Sequence, residues 1–210
     1  GLEEKHDHIS QHKSAFDNAI ETQRALVKLE EEYQNLTTRF YCVVTNENLE
    51  ETEKVFQFIA NEFGYEKISF SPLRGEPKEP SLLEPTSNEW DNVFNMYKKY
   101  VKKDPFNIKQ FVINRKTEFM NKIFSNEMSG RGLGPIDCSA GNNICVVDSD
   151  GAVRLCELKQ PVGNLRDHNY NISNILKTKV KHTCSCTHAC FLNASLEISP
   201  VNYVRSLLNV

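Results

Sequence analysis

No apolar run in this 210-residue chain approaches the roughly 18 to 20 residues that a helix needs to cross a bilayer, so no membrane partner is expected. An excess of either charge is also missing. The 25 Lys and Arg against 28 Asp and Glu give a net −3, with both signs mixed along the chain. Without a basic stripe, nucleic acid is not an expected partner. The opening, GLEEKHDHIS, has neither an initiator Met nor the basic-then-apolar pattern of a secretory leader. The expectation is a processed form or a fragment in the cytoplasm. Cysteine is scarce in the first 137 residues, where only Cys42 occurs. No C-x-x-C opens a helix, which ranks thiol oxidoreductase chemistry last among the readings.

What is present is enough for a core. Hydrophobic residues make up 39% of the chain, which suits one large domain or a medium domain with a smaller one. Six of the seven cysteines lie in the last 73 residues: Cys138, Cys145, Cys156, Cys184, Cys186 and Cys190. A secreted disulfide domain would be smaller and denser in cysteine, and the odd count argues against full pairing. A reducing compartment is expected, where clustered cysteines bind metal or carry redox chemistry.

The front of the chain alternates between helix and strand. Residues 12 to 34 carry Phe16, Ile20, Val27 and Leu29 at helical spacing, with Ser14 as N-cap and Asp17 three residues on. TTRFYCVVT (37 to 45) reads as a buried strand, 49 to 64 as a helix closed by Gly64, and KISFSPL (67 to 73) as a second strand. Helix, strand, helix, strand with short connections is the pattern of α/β units on a parallel sheet. SPLRGEPKEPSLLEPTS (71 to 87) holds four of the eight prolines and reads as an ordered loop; helices are predicted over 87–103 and 107–126. SGRGLGP (129 to 135) is a glycine-rich break taken as a domain boundary.

The tail reads differently. CSAGNNICVVDSDGAVRLCE (138 to 157) predicts two short strands around an acidic turn, QPVGNL (160 to 165) a loop and NISNILK (171 to 177) a short helix. Few large apolar residues support this segment, and so small a domain needs a staple. The cysteine pattern is C-x6-C-x10-C-x27-C-x-C-x3-C. A hairpin would bring Cys138 and Cys156 together, and Cys184, Cys186 and Cys190 share one short stretch. Structural zinc favours paired C-x2-4-C knuckles, whereas iron–sulfur clusters tolerate wide spacing. Iron–sulfur, zinc, and plain thiols or disulfides remain open, in that order. His182 and His188 read as polar loop residues, and Cys42 and Cys145 as small core residues.

This order of features resembles the auxiliary cluster-binding extension, of SPASM or twitch type, of radical S-adenosylmethionine (radical SAM) enzymes. In that family a Cys-x-x-Gly opening leads into a strand, an acidic-Gly turn and a second strand ending in Cys, then a Gly-Asn-Leu/Ile step and a run of cysteines. Cys138, Gly141, Asp150-Gly151, Cys156, Gly163-Asn164 and Cys184, Cys186 and Cys190 stand in those places. The front is similar to the second half of the family's partial TIM barrel. GLEEKHDHIS…SAFDNAI resembles the segment after the fourth strand, VVTNENLEE the fifth strand with its Asn-bearing turn, and ISFSPLRGEP the sixth. The implied fold class is α/β. Residues 1–128 would form the C-terminal part of a partial (β/α)6 TIM barrel, and 136–210 a small α+β cysteine-rich cluster domain.

The resemblance implies cofactors and partners. The complete enzyme would bind S-adenosyl-L-methionine at one [4Fe-4S] cluster and cleave it to a 5′-deoxyadenosyl radical. That radical abstracts hydrogen from a peptide or small-metabolite substrate, with flavodoxin or ferredoxin as electron donor. The family's Cys-x3-Cys-x2-Cys loop is absent from this sequence, so the chain alone is expected to be inactive. One auxiliary [4Fe-4S] cluster is implied, its four ligands drawn from Cys138, Cys156, Cys184, Cys186 and Cys190. Arg74, Asn48 and Ser71 end strands and are the candidate cofactor-binding residues, because barrel active sites gather at the carboxyl ends of strands. The pair His6-Asp7 reads as a feature of a helix start rather than a metal motif. The first strand would have an unpaired edge, so a homodimer or pairing with the missing half is expected. The rival reading is a non-enzymatic protein-interaction module stapled by zinc.

Overall fold

Two front segments form strands, β1 (Phe40–Val44), aromatic and β-branched apart from Cys42, and β2 (Ile68–Pro72), in which Ile68, Phe70 and Pro72 alternate with serines. The computed structural model describes residues 1–75, 77–100, 107–132, 134, 136–176 and 186–209. The chain divides into two compact units, Gly1–Asp104 and Pro105–Val210.

In the first unit β1 and β2 pair in parallel, from Phe40 opposite Ile68 to Val44 opposite Pro72. A parallel pair needs a long crossover. Here it is a short 3₁₀ turn (Leu49–Glu51) followed by α3 (Thr52–Glu62). Alternation sends Phe40, Cys42 and Val44 to one face with Ile68, Phe70 and Pro72. That face is covered. Phe56 of α3 lies 5.2 Å from Phe70, and Phe70 lies 5.4 Å from Trp90 of α4 (Ser87–Tyr100). Phe56, Ile59, Trp90 and Val93 are almost wholly buried and form the centre of this core. α4 starts with a capping box in which the Thr86 N–H and hydroxyl donate to Glu89 and the Glu89 N–H donates back to Thr86. The predicted extension of this helix through 101–103 lies outside the described residues.

Two helices precede β1, α1 (Glu3–Ser10) and α2 (Ala15–Glu32). Ser14 stands at the predicted N-cap position of α2, but its side chain does not cap. Ser14 takes the left-handed conformation (φ 64°) and accepts no capping bond. The Asp7 carboxylate does this work from the end of α1, accepting from the N–H groups of Phe16 and Ser14. The bond from Phe16 N–H is the chief reason the Asp7 carboxyl lies below its usual range. The His6-Asp7 pair is thus a helix-start feature.

At the other end of α2, Glu30 accepts from Lys67 and from the hydroxyl and N–H of Thr38, tying α2 to the segments that lead into both strands. The Lys67 ammonium, followed by the Thr38 hydroxyl, holds the Glu30 carboxyl down at about 2, against an ordinary 4.5. A depressed native value means that the carboxylate stabilises the fold fully above its unfolded pKa. That gain disappears as the pH falls through the native value. Glu30→Gln is therefore expected to flatten the decline of Tm between about pH 4.5 and about pH 2. Parallel Tm-against-pH curves for wild type and variant would contradict this.

The second unit opens with α5 (Ile108–Met128), capped by the Asn107 side chain, which accepts from Gln110 N–H at 3.0 Å. Phe119, Met120, Ile123 and Phe124 are its buried stripe. The glycine-rich segment 129–135, read as a boundary, lies inside this unit. Next comes an antiparallel meander of β3 (Val146–Val147), β4 (Ala152–Arg154) and β5 (Pro161–Asn164). QPVGNL, predicted as a loop, supplies β5. It pairs along β4 despite its glycine and proline because it is an edge strand. Of the short helix predicted over 171–177, a 3₁₀ helix forms at Ile172–Asn174, and Lys177 lies outside the described residues. Two helices close the chain, α6 (Ala189–Ile198) and α7 (Pro200–Leu208). Ser199 joins them as an N-cap with Pro200 at the first helical position. Among the described residues, no helix is long and apolar enough to cross a membrane.

Candidate functional site

Of the predicted thiol ligands, the described Cys138, Cys156, Cys186 and Cys190 lie in the second unit, on three segments joined by tertiary contacts. Cys138 opens a tight turn in which the Ser139 carbonyl accepts from the N–H groups of Asn142, Asn143 and Ile144. The Ser139 N–H donates to Ser195 Oγ of α6 at 2.8 Å, in a buried bond that fixes the neighbour of Cys138 against that helix. Gly141 stands at φ 70°, and a Cβ there would lie 2.9 Å from Leu155 Cδ2 and 3.1 Å from Leu155 Cβ. Both the backbone conformation and the close approach therefore require glycine. Leu155 is the residue before Cys156, so this contact brings the Cys138 turn beside the end of β4.

A third tether joins Cys156 to the cysteine-rich stretch. Glu157 follows Cys156 directly, and its Oε1 lies 2.9 Å from Nε2 of His188. His188 is fully buried, two residues after Cys186 and two before Cys190. Its ring meets Phe191 edge-on with centroids 4.8 Å apart. This corrects the reading of His188 as a polar loop residue. His188 is the N-cap residue of α6, which starts at Ala189, and its imidazole is packed into the core. Cys138, Cys156 and Cys186 are partly buried and Cys190 is exposed in the first turn of α6. Cys184 and His182 lie outside the described residues. Among the described residues, no three His, Cys, Asp or Glu side chains are close enough to hold a metal ion.

The other motif residues of the tail also meet. Gly151 (φ 88°) closes the acidic turn, where its N–H donates to the Asp148 carbonyl. A Cβ on Gly151 would lie 2.9 Å from Asn164 Oδ1, and Asn164 Nδ2 donates to the Asp150 carbonyl. The Asp-Gly turn and the Gly-Asn-Leu step are thus one packed unit. Arg154 Nε reaches Asp148 Oδ2 at 2.6 Å and its Nη1 the Lys159 carbonyl at 2.8 Å, which steadies the hairpin on both sides of Cys156.

In the first unit, Asn48, Ser71 and Arg74 stand at one end of the sheet, the carboxyl end of both strands. Asn48 is buried and its amide is engaged by β1. Its Oδ1 accepts from Thr45 N–H and its Nδ2 donates to the Val43 carbonyl, both at 2.9 Å. That is the pair of bonds a neighbouring parallel strand would make around Val44. Asn48 so occupies one end of the β1 edge, and among the described residues β1 pairs with β2 alone. Asn46 uses the same chemistry outward. It accepts from Leu83 N–H and donates to the Ser81 carbonyl, pinning the proline-rich segment over the strand end. Ser71 is buried and Arg74 half-buried.

Tyr41 and Val43 share the second face of the sheet with their register partners Ser69 and Ser71, and they are 53% and 45% exposed. Parallel strands are normally covered on both faces, and within this unit the second face is only partly covered, with Ser71 buried on it. Beside the carboxyl end of β1 lies a polar cleft lined by Asp7, His8, His12, Glu47 and Glu79. The sequence reading missed these residues, because the histidines reach the cleft only through the packing of α1. An apolar cavity of about 290 Å³ borders β1 on its other side, with Phe16, Ile20, Cys42 and Phe58 in its wall. Burial pushes the Cys42 thiol up to about 11, so it is a neutral wall residue rather than a nucleophile or ligand.

No protein-family model, curated protein or solved structure matches the chain.

Proposed function

We propose that the second unit binds one auxiliary [4Fe-4S] cluster through four of Cys138, Cys156, Cys184, Cys186 and Cys190, and that the chain is part of a radical SAM enzyme. The observation that carries this is the set of three tethers, Ser139 to Ser195, Gly141 to Leu155 and Glu157 to His188, which gather thiol-bearing segments from distant stretches of sequence. The donor set suits the group, since four thiolates are the usual ligands of such clusters and they need a reducing compartment such as the cytoplasm. When bound, the cluster would supply a one-electron centre. The chain's own residues would hold the thiol-bearing segments and shield Cys138, Cys156 and Cys186 partly from water.

The first unit is proposed as the later part of a partial (β/α)6 barrel. Its βαβ unit, with a half-open inner face, supports this reading. Arg74 is assigned to a carboxylate of S-adenosyl-L-methionine or of a peptide or small-metabolite substrate, and Ser71 to the wall beside it. Asn48, with its amide held by β1, shapes the strand end. The electron donor would be a flavodoxin or ferredoxin, and the remaining edge of β1 would pair with a further strand, in the same protein or a second copy.

The test is S-adenosylmethionine cleavage. The 210 residues hold no Cys-x3-Cys-x2-Cys motif. The reconstituted and reduced chain is expected to yield no 5′-deoxyadenosine above the protein-free control. Catalytic formation of 5′-deoxyadenosine by this chain alone would overturn the assignment of its cluster as auxiliary.

A further inference from the structure

His188 is fully buried, yet it is polar and sits between two cysteines. Its Nε2 lies 2.9 Å from the Glu157 carboxylate, whose side chain is 38% exposed, an ion-pair contact without hydrogen-bond geometry. Two rigid pieces are joined by this contact. On one side, the His188 carbonyl accepts from Leu192 N–H in the first turn of α6, and the ring is wedged against Phe191. On the other side, the turn after Cys156 is closed by a bond from Lys159 N–H to the Cys156 carbonyl and held by Arg154. Burying an acid–imidazole pair adds little stability compared with apolar side chains of the same size. What the pair does add is geometry, because Glu157 is next to Cys156, and His188 is two residues from both Cys186 and Cys190.

We infer that Glu157 and His188 are positioning residues: their contact holds the hairpin thiol Cys156 beside the Cys186–Cys190 segment before any metal arrives. Joining two thiol-bearing segments in advance avoids part of the ordering that metal binding otherwise requires. The inference rests on the cluster reading for its consequence, but the clamp itself is a property of the metal-free chain and can be read there.

The test uses the full chain with Glu157→Ala, Glu157→Leu and the isostere Glu157→Gln, each checked for an unchanged far-UV circular dichroism spectrum. In the metal-free state, phenylarsine oxide bridges pairs of neighbouring thiols, and mass mapping identifies Cys156 joined to Cys186 or Cys190. After anaerobic reconstitution, irons per chain are counted. Wild type and Glu157→Gln are expected to give the bridged product and about four irons. The Ala and Leu variants should lose at least fivefold in bridged product and more than half of the iron. Leu keeps the bulk and Gln the hydrogen-bonding oxygen, so rescue by Gln alone assigns the effect to the polar contact. Equal bridging in wild type and Glu157→Ala would overturn the inference, as would a wild type with no bridged product. A wild type whose bridging depends on Glu157 but which takes up no iron would keep the clamp and overturn the cluster reading.

Discussion

The double variant Cys156→Ala, Cys186→Ala is expected to lose iron–sulfide uptake, falling from about four irons per chain to fewer than one. Five cysteines compete for four ligand places, so a single substitution can be rescued by the spare thiol. Removing two leaves at most three. The two chosen thiols lie on opposite sides of the Glu157–His188 contact, one on the hairpin and one before α6. Neither substitution removes a large buried side chain, since both cysteines are only partly buried. The matched control is Cys42→Ala, Cys145→Ala. Cys42 belongs to the first unit, where burial keeps its thiol protonated, and Cys145 precedes β3 on the far side of the Gly141 turn. This control should keep its full iron content. Loss of iron in the control but not in the first variant would mean that the ligand set has been misassigned.

The second large effect concerns stability. Phe56→Ala should lower the stability of the first unit by about 3–5 kcal/mol, the usual cost of deleting a buried aromatic ring. Phe56 is fully buried and its ring touches both Phe70 and Tyr97. Those rings continue to Trp90, so this cluster joins both strands' covered face to α3 and α4. The cost is a large part of the roughly 5–15 kcal/mol that a domain has in total. Phe56→Leu keeps most of the volume and should cost far less, about 1.5 kcal/mol or below. Urea unfolding followed by fluorescence measures both, because the chain's single Trp lies in this same core. A midpoint in Phe56→Ala within error of wild type would show that the α3–α4 layer does not hold the sheet.

Much of the front was legible because its signals are local. Strands of β-branched and aromatic residues, helices with periodic apolar faces and the Thr86–Glu89 capping box all follow from neighbours a few residues apart. The interactions that the sequence concealed are tertiary. Asp7 caps a helix that starts eight residues later, Glu30 meets Lys67 across 37 residues, and Asn48 stands in for a strand. In the tail the acidic turn at Gly151 was legible, but β5 was not, since a short edge strand containing glycine and proline carries little periodicity. His188 was the clearest miss. A histidine among cysteines looks like a polar loop residue until α6 is seen to start beside it. One signal could have found it: the apolar pattern of ACFLNASLEI, which marks a buried helix and so places its N-cap residue next to a core.

The most direct measurement is anaerobic reconstitution of the 210-residue chain with iron and sulfide, followed by an absorbance spectrum and counts of iron, sulfide and zinc. A brown protein with a broad band near ~400 nm, about four irons and about four sulfides per chain is the predicted result. A colourless protein that retains about one zinc and no labile sulfide would contradict it. The same thiol-bearing segments would then be the staple of a protein-interaction module.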